Sequence, residues 1–162
     1  MIGAEAAEAA YRRALELDPQ QAGARMALAD LLLADGRRAE AAGELRAALE
    51  QRPSDPVLLN NLAWLLATDP RPAPGAAAEA VALAERATEA SPDAESYDTL
   101  AAALASAGRF EEARTAALRA LNYARERGED ASAEAIGARV RDYAAGRRHV
   151  EEAVSRMAPP AQ

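Results

Sequence analysis

A spaced repetition limits this chain more than any other feature. "RRALELDP" (Arg12–Pro19) and "RAALEQRP" (Arg46–Pro53) superimpose through Ala14 and Ala48, Leu15 and Leu49, and Pro19 and Pro53, a step of 34 residues. "ERATEASP" (Glu85–Pro92) repeats the alanine and the proline 39 residues further on, and "LRALNYAR" (Leu118–Arg125) repeats the alanine and leucine without the proline. A second pattern runs between these copies. "MALADLLLADGRRAEA" (Met26–Ala41) aligns with "DTLAAALASAGRFEEA" (Asp98–Ala113), pairing Leu28-Ala29 with Leu100-Ala101, Gly36 with Gly108 and Ala41 with Ala113. A period in this range marks supersecondary units that bury their apolar faces only by stacking on one another.

The local chemistry fits helix–turn–helix units. Gly36 and Gly108 follow apolar helical runs, where a left-handed residue closes a helix. Pro19, Pro53 and Pro92 stop one unit and start the next. Ala29, Ala63 and Ala101 fall where two helices cross and only a small side chain allows close approach. Composition agrees: half of the 162 residues are apolar but only 4% are aromatic, so alanine carries the packing.

These marks resemble the tetratricopeptide repeat: a large residue, Leu and a small residue in helix A, a turn glycine, alanine and large residues in helix B, and a closing proline. In the second unit they fall on Leu28, Ala29, Leu32, Gly36, Ala41, Leu45, Ala48 and Pro53, and in the fourth on Tyr97, Leu100, Ala101, Leu104, Gly108, Phe110, Ala113 and Ala120. The resemblance implies an all-α, right-handed α-solenoid of about three and a half units over residues 1–128: a partial unit 4–19 consisting of helix B alone, then units 22–53, 56–92 and 94–127. Residues 129–157 form a C-terminal capping region. In it Ile136, Val140, Tyr143 and Ala144 are expected to make one apolar stripe, and a further short helix is expected over His149–Met157. Residues 158–162 are expected to be a flexible tail. In the third unit, helix A runs Asn60–Thr68 and "DPRPAPG" (Asp69–Gly75) makes the link to the next helix five residues longer than usual, stiff and extended. "NNLAWLLAT", "SYDTLAAALASAGRFEEA" and "DYAAGRRHVE" also resemble the closing segment of large bacterial tetratricopeptide proteins.

Several function classes are disfavoured. The net charge of −7 opposes nucleic-acid binding through counterion release and attraction to an anionic membrane surface. No cysteine is present, and a lone His149 builds no typical zinc site, so no metal and no cofactor is expected. His149 reads as a solvated surface group. No glycine-rich phosphate loop and no catalytic constellation stand out, so the chain reads as non-enzymatic. Neither a signal peptide nor a membrane span is recognisable, and the default compartment is the cytoplasm.

What remains is a binding surface. In a stack of such units, helix A lines the concave side. The residues facing inward are Met26 and Asp30 from the second unit, Asn60, Asn61 and Trp64 from the third, and Glu95, Asp98 and Thr99 from the fourth. The resemblance implies protein or peptide binding in this groove. Of the family's carboxylate-gripping pattern only Asn61 is present, in the place of an asparagine that bonds a ligand's backbone. With Asp30, Glu95 and Asp98 acidic and Met26 and Trp64 apolar, the expected partner is a segment with a basic residue and an apolar anchor. Local roles are open for three of these residues: Trp64 packing against the next helix A or under the proline link, Asn61 bonding to Thr99, and Asp98 capping a helix or pairing locally with an arginine. Two rival functions stand beside groove binding. One is self-association through the open N-terminal helix. The other is service as the regulatory tail of a larger enzyme, such as a glycosyltransferase.

Overall fold

In a computed structural model, residues 2–151 are described, and they fold into eight helices in series: α1 (Ile2–Leu17), α2 (Ala22–Ala34), α3 (Arg38–Gln51), α4 (Pro56–Ala67), α5 (Ala76–Ala90), α6 (Ala94–Ser106), α7 (Phe110–Glu126) and α8 (Asp130–Ala144). Each helix packs on the next, and α4 also lies directly against α6, the arrangement of stacked hairpins. The described residues contain no strand.

The turns follow from the residues in them. Gly36 and Gly108 have φ of 75° and 76°. The amide after each reaches back to close the preceding helix, Arg37 N–H donating to the Leu32 carbonyl at 2.8 Å and Arg109 N–H to the Leu104 carbonyl at 2.9 Å. This closure needs a left-handed residue, which glycine adopts without strain. At the other ends, the Asp55 side chain accepts from the amides of Val57 and Leu58, with Pro56 in the first turn of α4. Asp93 and Ser96 form a reciprocal capping box on α6.

The core is built at the alanines. Ala29, Ala63 and Ala101 are fully buried, as are Ala41, Ala48, Ala80, Ala84, Ala113 and Ala120. Around them Leu28, Leu32, Leu45, Leu58, Leu59 and Leu62 close the layers. Small residues at the crossings let whole helices contribute dispersion contacts where larger side chains would hold them apart.

At the C-terminal end α8 packs against α7 and buries Ile136 and Tyr143. Ala144, expected on the same stripe, is exposed. It lies in the last turn, one residue past Tyr143, and is rotated out of the contact. The short helix expected from His149 onward is not formed over residues 147–151, which run without regular structure beyond Gly146. The rest of that expected helix and the tail 158–162 lie outside the described residues.

Candidate functional site

A cleft of about 670 Å³ opens along α2, α4 and α6. Its lining includes Asp30 from α2, Asn60, Asn61 and Trp64 from α4, and Glu95, Asp98 and Thr99 from α6. These are seven of the eight residues singled out from the sequence. Met26 is the exception: it is half-buried against the core and is absent from the lining. The helical period explains the grouping, because residues one turn apart on each A helix share a face while Leu28, Leu62 and Ala101 turn inward.

Polar contacts then divide the cleft. Asn60 Nδ2 donates to Glu95 Oε1 at 2.9 Å, and Asn60 Oδ1 has no partner among the described residues. The amide orientation follows from Glu95, whose carboxylate can only accept. The bond from Asn61 to Thr99 considered above is not among the hydrogen bonds of the described residues; Asn61 is half-buried at the cleft wall.

Asp98 is not a free carboxylate. Arg139 of α8 binds it in a bidentate fork, Nε donating to Oδ1 at 2.9 Å and Nη2 to Oδ2. Side-chain exposure is only 15% for Arg139 and 11% for Asp98. Burial pushes Asp98 above the usual aspartate range, and the Arg139 hydrogen bonds oppose that shift. The same guanidinium lies 5.5 Å from the centre of the Trp64 ring, within cation–π range.

Trp64 is therefore not free: it is half-buried against the core. Beside Arg139 it meets the His149 ring, with centroids 5.5 Å apart and planes tilted by 42°. Its indole N–H donates to Glu151 Oε1 at 2.8 Å. The expectation of a solvated His149 is thus corrected: the ring is half-buried on the tryptophan. Burial, and then the nearby Arg139 charge, hold its pKa below the ordinary imidazole value. Sequence reasoning missed this contact because it joins positions 85 residues apart in the chain, and helical periodicity carries no signal for it.

Arg38 was missed for a different reason. It opens α3, a B helix, and the inward face was assigned to A helices alone. Arg38 donates to the Leu65 carbonyl and to Thr68 Oγ1, both at 2.9 Å, while the Thr68 hydroxyl donates to the Trp64 carbonyl at 2.8 Å. The guanidinium thereby satisfies the Leu65 carbonyl, left open where α4 ends, a favourable place for a cation. The longer link supplies acceptors too. Residues 68–75 join α4 to α5 where residues 35–37 and 107–109 suffice in the neighbouring hairpins. Its Asp69 carbonyl accepts from Arg148 at 3.0 Å.

The family model "Tetratricopeptide repeat" matches residues 3–56 and 31–95, more than half of the chain. The chain belongs to the tetratricopeptide repeat family. Members of this family serve in protein–protein interaction and are typically non-catalytic, and the all-helical solenoid fits that membership. A comparison with curated proteins gives no match. Among the described residues, no group of three or more His, Asp or Glu side chains lies close enough to hold a metal ion, and no helix is long and apolar enough to cross a membrane.

Proposed function

We propose that this tetratricopeptide array is an interaction module that binds an extended protein or peptide segment in the cleft along α2, α4 and α6. The supporting observation is the cleft itself. Its volume is that of a ligand pocket, and it joins an aromatic surface at Trp64 to polar groups from three successive A helices. Asn61 is the group suited to a ligand's backbone, because an amide donates and accepts together. Trp64 supplies the apolar anchor point. Asp30, exposed at the rim, and Glu95 supply negative potential for a basic residue of the partner. Asp98, neutralised by Arg139, adds little to that attraction.

The test is selection of peptides from a displayed random library on the full chain, followed by titration against Asn61→Ala and Asp30→Arg proteins with Trp64 emission as readout. Cleft binding requires that Asn61→Ala weaken the selected peptides alike and that Asp30→Arg weaken basic ones most. Selected peptides that bind both folded variants at full strength would place the site elsewhere. Self-association through α1 has one observation behind it: Tyr11 and Leu15 are only half-buried, and Leu17 is 74% exposed. Sedimentation at two concentrations separates it, since cleft binding requires no dimer.

A further inference from the structure

The last described residues return to the cleft. Beyond α8, residues 147–151 form a strap that crosses the C-terminal end of α4, with Arg148 on the carbonyl of Asp69 and His149 on Trp64. Glu151 is held at three points. Its Oε1 accepts from the Trp64 indole at 2.8 Å, its Oε2 lies 3.6 Å from Arg38 Nη1, and its backbone N–H donates to the Thr68 carbonyl at 3.0 Å. Joint reading of one residue's side chain and main chain is how a receptor grips an extended peptide.

The receiving groups are built into the fold. The Arg38 side chain is only 16% exposed and is fixed by the Leu65 carbonyl and the Thr68 hydroxyl. The other cation of the cleft, Arg139, is committed to Asp98. Arg38 has no carboxylate within ion-pair distance among the described residues except Glu151. A largely buried guanidinium without an anion is unfavourable, so this end of the cleft calls for a carboxylate. The strap, by contrast, is lightly held. None of residues 147–151 is buried, and the Glu151 side chain is 45% exposed. Segments held by a few polar contacts at the surface open well below the free energy of global unfolding.

We propose that Trp64, Arg38 and the Thr68 carbonyl form a subsite for an acidic residue of an extended partner segment, and that the strap fills this subsite in cis through Glu151. A partner must then displace the strap to seat its own carboxylate. The inference rests on the cleft being the binding site, and it adds to that reading an acidic requirement and a built-in competitor. Because the strap is tethered, it competes at a high effective concentration, and releasing it strengthens binding without adding a contact.

The experiment uses the full chain and the strap-released variant Arg148→Ala/His149→Ala/Glu151→Ala. The probe is a fluorescein-labelled, C-terminally amidated peptide with the sequence of residues 146–151, Gly-Arg-Arg-His-Val-Glu, together with its Glu→Gln form. Anisotropy and Trp64 emission report binding, and circular dichroism reports folding. The released variant should bind the peptide at least about tenfold more tightly than the unaltered chain, and the Glu→Gln peptide should lose about tenfold, the size of effect given by one lost charge-assisted contact. Adding Arg38→Gln to the released variant should remove the difference between the two peptides. Equal binding of the Glu and Gln peptides overturns the acidic subsite, and equal binding by the released and unaltered chains overturns the cis competition. If either occurs while library-selected peptides still depend on Asn61 and Asp30, this proposal falls and the cleft reading stands. Selected peptides indifferent to the cleft substitutions would remove the cleft reading itself.

Discussion

Replacing Arg139 by Met tests how the capping helix is joined to the cleft. The methionine keeps most of the apolar stem and removes the guanidinium, leaving Asp98 buried and unpaired. Breaking a fully buried ion pair by removing one partner costs about 3–5 kcal/mol. Here both side chains retain some contact with water, at 15% and 11% exposure. Solvent screening reduces the expected loss to roughly 2–4 kcal/mol, with the lost cation–π contact to Trp64 falling inside that range. For a chain of this size that is a fall in Tm of roughly 4–16 °C, which circular dichroism and Trp64 emission would both register. The pH dependence gives an independent sign. Burial already raises Asp98 above its unfolded value, so the folded state binds the extra proton and stability falls as pH rises through that window. Without Arg139, the opposing interaction is gone and Asp98 moves further up. The penalty of Arg139→Met should therefore be largest near neutral pH and shrink as pH falls and the carboxyl protonates. Asp98→Leu combined with Arg139→Met should recover much of the loss, since no buried charge then remains. A cost under about 0.5 kcal/mol, the scale of an ordinary surface substitution, or one that does not shrink as pH falls, would refute the reasoning.

Three further outcomes follow from the same structure. Ala63→Leu and Ala101→Leu should each destabilise by roughly 1–3 kcal/mol through overpacking at fully buried crossings, while exposed Ala39→Leu stays within about 0.5 kcal/mol in denaturant unfolding. Strap docking should weaken in acid. His149 has a docked pKa below its free value, so its contribution is fully present above about pH 6.5 and is lost as pH falls through the lowered value. Arg139 and the carboxylates of Asp98, Asp142 and Glu151 surround the ring, and His149→Gln should flatten the corresponding step in Trp64 emission. Ending the chain at Gly128 removes α8 and uncovers the Leu121 and Ala124 face, so aggregation or a lower Tm is expected in light scattering and thermal melts.

The solenoid was legible because its determinants are local and repeated. A turn glycine at 36 or 108 reports a left-handed backbone wherever it occurs, and an alanine at 29, 63 or 101 reports a helix crossing because no larger residue fits. The same periodicity placed Asp30, Asn60, Asn61, Trp64, Glu95, Asp98 and Thr99 on one inward surface, and these residues line the cleft. Which of them carry free charge was decided only in three dimensions. Arg139 approaches Asp98 from α8, a helix outside the repeat, and Arg38 enters from the start of a B helix to hold the end of α4. The strap from 147 to 151 lies on Trp64 and the long link past the end of α8 at Ala144, where Gly146 takes a left-handed conformation, and helical periodicity carries no signal for that return. Periodicity encodes which face of a helix turns inward. The pairing of charges across that face depends on where non-repeated segments arrive, and those distances exist only once the stack has formed.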